Sequence, residues 1–128
     1  MPTEILDKVI MNIEELRVYC LSMPQTTEGF PFGETTLVFK VMNKMFALLS
    51  LEANPLYINL KCDPEQAIEL REQYPAIKPG YHMNKQHWNS VYIDGSLSDE
   101  QIRQMVDDSY NLIVEKLPKS LKEKLSQS

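Results

Sequence analysis

Glycine, cysteine, histidine and tryptophan are all scarce in this chain: four, two, two and one, respectively, in 128 residues. So few glycines leave no loop able to cradle a phosphate with backbone amides. No Gly-x-Ser-x-Gly elbow is present either, and neither cysteine opens an electropositive helix, so nucleophilic catalysis has no foothold. Cys20 and Cys62 lie in apolar periodic segments and read as buried thiols rather than a bridge. No apolar run approaches the roughly 18 residues of a membrane-spanning helix. The start, Met1-Pro2-Thr3-Glu4-Ile5-Leu6-Asp7, lacks the basic residues and apolar run of a secretory signal, so a cytoplasmic protein is expected. Positive charge is short as well. Thirteen Lys and Arg against 18 Asp and Glu give a net charge of −5 and a pI near 5.0. Nucleic acid would repel such a molecule as a whole, and binding would need its cations gathered on one face.

What is present suits one domain over residues 1–128, with 1–11 as an N-terminal extension and 118–128 as a short tail. Residues 12–23 predict a first helix, capped by Asn12 with Glu15 closing a capping box. Residues 25–34 predict a loop around Phe30-Pro31-Phe32-Gly33. Three alternating segments follow: 36–41 with Leu37, Phe39 and Val41 on one face, 45–51 with Met45, Ala47, Leu49 and Leu51 on one face and Phe46 and Leu48 on the other, and 56–62 with Tyr57, Asn59 and Lys61 outward. Asn43-Lys44 predicts the first turn. Asp63-Pro64-Glu65 opens a second helix whose face is Ala67, Ile68, Leu70, Arg71 and Tyr74. An edge strand over 77–83, a turn at Asn84-Lys85 and a return strand over 88–93 come next. Ser98 with Gln101 caps a last long helix reaching about Leu117. The order α-β-β-β-α-β-β-α predicts a two-layer α+β fold: a mainly antiparallel five-stranded sheet with helices on one face.

Function-bearing residues concentrate in Lys78-Pro79-Gly80-Tyr81-His82-Met83-Asn84-Lys85-Gln86-His87-Trp88-Asn89-Ser90-Val91, which holds the Trp and both histidines and no acid. His82 and His87 flank a turn, but zinc needs four ligands and no carboxylate lies nearby, so no metal and no cofactor is expected. No enzymatic activity is expected either. Lys40, Lys61 and Asn59 fall on outward strand faces, and Lys44, Lys78 and Lys85 fall at or near turns. The acids concentrate in helices, which suggests a basic strand layer beneath an acidic helical one. Lysine-tipped hairpins can contact phosphates, while Tyr81, His82, Asn84, His87, Trp88 and Asn89 can stack on bases or hydrogen-bond them. Against this stands a packing reading, in which Trp88 plugs the sheet and the lysines serve solubility.

Several motifs together resemble the MmcQ/YjbR family of small bacterial proteins. They are Glu14-Glu15-Leu16 with Tyr19-Cys20, Phe30-Pro31-Phe32-Gly33, Leu37-Val38-Phe39-Lys40-Val41, Asn59-Leu60-Lys61-Cys62-Asp63-Pro64, and above all Pro79-Gly80-Tyr81-His82-Met83-Asn84-Lys85 through His87-Trp88-Asn89. The resemblance implies a CyaY-like or secretion-chaperone-like α+β domain and a DNA-binding role through a double-wing motif. On that reading the site is Lys40, Lys44, Lys61, Lys78, Tyr81, His82, Asn84, Lys85, His87, Trp88 and Asn89. The alternative partner is a protein or peptide on the same face or a sheet edge. A third reading is a small-molecule pocket between Phe30, Phe32 and Trp88.

Overall fold

The computed structural model describes residues 11–126. In chain order the elements are α1 (Ile13–Leu21), β1 (Thr26–Gly29), β2 (Thr36–Val41), β3 (Lys44–Ser50), β4 (Tyr57–Lys61), α2 (Pro64–Gln73), β5 (Ile77–Pro79), β6 (Trp88–Tyr92), α3 (Asp99–Glu115) and α4 (Lys119–Ser126). The two-layer α+β expectation holds. The sheet has six strands rather than five, in the order β1-β2-β3-β4-β6-β5, and every pairing is antiparallel. Of the expected extension, residues 1–11, positions 1–10 lie outside the described residues. Met11 is buried in the core.

Helix starts follow from side-chain chemistry. Asn12 accepts from the Glu15 amide at 2.8 Å and Glu15 reaches back to the Asn12 amide. Ser98 and Gln101 make the same reciprocal pair on α3. These bonds occupy amides that have no partner inside the helix. The added strand, β1, has the sequence Thr-Thr-Glu-Gly with no apolar alternation to reveal it. It is held by pairing with β2 and by a bidentate ion pair from Arg17 of α1 to Glu28, at 2.8 and 2.7 Å.

The main core lies between the sheet and the helices, with Leu16, Phe39, Leu49, Ile58 and Val106 at its centre. Phe46 corrects the alternation read from sequence. The β2–β3 register slips between Phe39 and Lys40, so that Phe39 faces Ala47 while Lys40 faces Met45. The bulge gives β3 one extra residue there. Phe46 thereby reaches the helical face, meeting Tyr110 edge to face at 5.3 Å, and Met45 moves to the opposite face. Ser109 of α3 anchors the bulge: its hydroxyl donates to the Phe46 carbonyl at 2.5 Å and accepts from the Lys61 amide at 2.9 Å. A second departure is Ile68 of α2, which is exposed although Ala67 beside it is buried. The tail residues 119–126 form a helix that buries Leu125.

Candidate functional site

Across the sheet from the helices lies a second, smaller apolar cluster: Val38, Leu48 and Trp88, with Met45 and Met83 against it. Its cover is the segment Gly80–His87. Instead of projecting as a wing, this segment curls back over the open face. Gly80 and Trp88 close it with the bond from the Gly80 amide to the Trp88 carbonyl at 2.9 Å, and turns follow at Met83→Gly80 (3.1 Å) and Trp88→Asn84 (3.0 Å). Only glycine fits at position 80, because a Cβ there would lie 2.8 Å from Cβ of Trp88 and 3.0 Å from that of Met83.

Two buried polar residues on the central strands hold the segment down. Asn59 of β4 and Ser90 of β6 are register partners. The Ser90 hydroxyl donates to Oδ1 of Asn59 and accepts from the Tyr81 amide (2.9 Å), while Nδ2 of Asn59 donates to the Tyr81 carbonyl (3.1 Å). A polar pair inside a sheet is costly unless satisfied. Here the satisfaction comes from the Tyr81 backbone, which fixes where that ring stands. From the helical side, Arg71 of α2 donates to Lys85 O and to Asn89 Oδ1 (2.7 Å).

Trp88 and Asn89 therefore leave the proposed contact set. Trp88 is 8% exposed and Asn89 2%, the first as the keystone of the small cluster and the second as a floor residue facing Arg71. Lys85 also changes role: its ammonium donates to the Gly80 carbonyl at 2.9 Å, closing the segment it was expected to tip. His87 is half-buried, and its carbonyl accepts from the Cys62 amide.

Tyr81, His82 and Asn84 remain exposed, on the rim of a hollow of about 490 Å³ floored by Leu48 and Asn59. Phe32 stands on the same hollow, 65% exposed against 54% for Tyr81. Of the three rings of the small-molecule reading, Phe32 borders the hollow, whereas Phe30 and Trp88 do not line it. His82 has φ of 61°, a left-handed conformation uncommon outside glycine, and its ring rests on Tyr81 at 4.0 Å. Tyr81 meets Tyr57 edge to face at 6.2 Å, and Tyr57 meets Tyr92 at 5.1 Å. A string of rings thus crosses the open face, including Tyr57 and Tyr92, which sequence reasoning left out.

The lysines sort along the strands rather than by layer. Lys40 faces Met45, Lys61 faces Trp88 and Lys44 closes the β2–β3 hairpin, placing all three at one end of the sheet. That hairpin turns on Met42 and Asn43, both with positive φ, one residue earlier than expected. Glu34 precedes β2 and Glu52 follows β3, at the other end. Burial, then repulsion from Lys116 and Lys44, holds the Lys61 ammonium below its ordinary pKa. Lys116, the C-cap of α3, is the member that sequence reasoning missed. Lys78 faces Ser90 on the β5 edge, apart from this corner. Among the described residues, Arg17 pairs with Glu14 and Glu28, and none of these lysines makes an ion pair within 4.0 Å.

Among the described residues no three His, Cys, Asp or Glu side chains converge in a way that could hold a metal ion, and no helix is long and apolar enough to cross a membrane.

Known proteins resemble this chain in sequence and in fold. The chain is 42% identical to the uncharacterised protein YbdF of Escherichia coli O157:H7 over 114 residues, 89% of this chain and 93% of that one. It is 38% identical to the uncharacterised protein YjbR of Escherichia coli K12 over 117 residues, 91% of this chain and 99% of that one. The crystal structure of Deinococcus radiodurans protein DR2400 superposes with a TM-score of 0.85 at 39% identity, covering 92% of this chain and 90% of the other. A Pseudomonas syringae protein follows with a TM-score of 0.70 at 30% identity, covering 80% and 98%. The YjbR family profile matches residues 21–112, and with these relatives it shows that the chain belongs to the YjbR family.

Proposed function

We propose that this protein binds DNA on the open sheet face, as a single strand whose bases stack on the exposed rings and whose phosphates meet the lysine corner. The observation that carries the reading is that Phe32 and Tyr81, both more than half exposed, border one hollow, while among the described residues the lysines at one end of the sheet make no ion pair within 4.0 Å. Every base offers a π-face, so stacking on such rings is tolerant of sequence, at about 1–3 kcal/mol per base. Single strands fit better than a duplex because Gly80–His87 is folded down and leaves one projecting tip, the Val41–Lys44 turn. The net charge of −5 makes the attraction local, so it depends on the corner formed by Lys44, Lys61 and Lys116.

Three phosphate contacts imply a slope of about −2 in log K against log salt for a single strand. Anisotropy titration of a labelled oligothymidylate and a matched duplex at two salt concentrations tests this. The expected result is tighter single-strand binding, weakened roughly 5- to 150-fold by Tyr81→Ala. No binding of either at low salt, where non-specific Kd values of about 10⁻⁴–10⁻⁶ M are ordinary even at physiological salt, removes the proposal.

A peptide partner is the second reading, favoured by Met45 and Met83 in the hollow, since methionine adapts to varied apolar side chains. A captured peptide that is lost with Tyr81→Ala but kept with Lys44→Glu would select it.

A further inference from the structure

A second concavity lies on the helical side of the sheet, unrelated to the hollow above. α2 and α3 leave between them a cleft of about 200 Å³ whose walls include Leu60, Leu70, Val91, Leu97 and Met105. On this cleft stands Asn89, 2% exposed, whose Nδ2 is buried and has no hydrogen-bond partner among the described residues.

The orientation of that amide is dictated by its neighbour. Arg71 Nε donates to Oδ1 of Asn89 at 2.7 Å. A guanidinium has five donors and no acceptor, so the amide cannot be turned over. Nδ2 is therefore the atom left over, and an unsatisfied buried donor is rare enough to require a cause. Tyr74 stands on the same cleft, and its oxygen accepts from Gln101 (3.2 Å) and Gln73 (3.3 Å), which leaves its own proton to donate. Asp108 and Lys61 also border it with opposite charges. Cys62 is held as a neutral thiol, its pKa pushed up to about 11 mainly by burial.

We infer that this cleft is a binding site for a small, neutral, largely apolar molecule carrying a carbonyl-type acceptor, which Asn89 Nδ2 engages. The volume is below the roughly 300–1,000 Å³ of drug-sized pockets, so the ligand is of one-ring size.

Acetophenone and ethylbenzene make a matched pair of probes, alike in shape and differing in the carbonyl. In ¹⁵N–¹H spectra at millimolar probe, acetophenone is expected to shift the Asn89 side-chain amide saturably and to bind roughly two- to tenfold tighter than ethylbenzene, the range of one hydrogen bond. Asn89→Leu should erase that difference. If Asn89→Leu does not fold, Gln104→Trp, an exposed position bordering the cleft, should abolish binding of both. Equal affinities for the two probes, or no saturable shift at Asn89, overturns the inference.

Discussion

Replacing Trp88 with alanine separates its structural role from a contact role. The indole is 8% exposed and packs on Val38, Leu48, Met45 and Met83. Trp→Ala in a core costs about 3–5 kcal/mol through lost burial and the cavity left behind. The lower end applies here, because the lid over this cluster is a single segment, Gly80–His87, which can settle into the gap. A domain of this size gains about 2.1 cal/mol/K per residue of entropy on unfolding at its midpoint, so each kcal/mol moves Tm by about 4 °C. The expected fall is therefore about 12 °C by thermal denaturation followed by circular dichroism. Amide exchange adds a local readout: the Gly80 amide, bonded to the Trp88 carbonyl, and the Tyr81 amide, bonded to Ser90, should exchange faster than those of β2 and β3. A fall of under about 3 °C would mean that the indole is not packed as described, and with it would go the reason for removing Trp88 from the contact set. The same reasoning makes Trp88→Ala a poor probe of binding, since it disturbs Tyr81 indirectly; Tyr81→Ala, at an exposed ring, is the clean one.

Other expectations follow from the same geometry. Gly80→Ala forces a Cβ to 2.8 Å from that of Trp88 and should lower stability by about 1–3 kcal/mol, read from the urea midpoint; an unchanged midpoint contradicts the close approach. Ser109→Ala leaves Phe46 O and the Lys61 amide without their partner, at about 1–3 kcal/mol for each buried group unmatched; a loss under about 1 kcal/mol would show that the bulge has other support. Stability should also fall with rising pH between about 9 and 12. Burial raises the pKa of Cys20 from 9.0 to about 12 and, joined by Asp63 and Asp108, that of Cys62 from 9.0 to about 11. The unfolded chain then releases protons before the folded one does, so the folded state loses ground through that window. Urea midpoints at pH 8 and pH 10.5 measure it, and an equal or higher midpoint at the alkaline value refutes it.

Local chemistry was legible in the sequence where a residue acts on its near neighbours. Asn12 with Glu15, Asp63 with Pro64, and Ser98 with Gln101 announce three helix starts, and alternation places β2 and β4. The bulge at Phe46 left no such trace: Met45-Phe46-Ala47-Leu48-Leu49 is apolar on both faces, so its phase carries no information. β1 was hidden because an edge strand of Thr-Thr-Glu-Gly buries almost nothing. The site was half legible. The run from Pro79 to Asn89 drew attention correctly, yet its curl depends on Asn59, Arg71 and Ser90, partners supplied by other elements. The lysine corner needed Lys116, 55 positions after Lys61 along the chain (116 − 61), and only the register of β4 with β6 and the end of α3 bring them into each other's field.

Amide-resolved NMR titration of the whole chain with an unlabelled oligothymidylate tests the open-face proposal most directly. Shifts at Tyr57, Tyr81, His82 and Asn84 around the hollow, continuing to Lys44 and Lys61 and fading as salt rises, are the predicted result. Shifts confined to α2, α3 and the cleft between them, or a spectrum indifferent to the oligonucleotide at low salt, would contradict it.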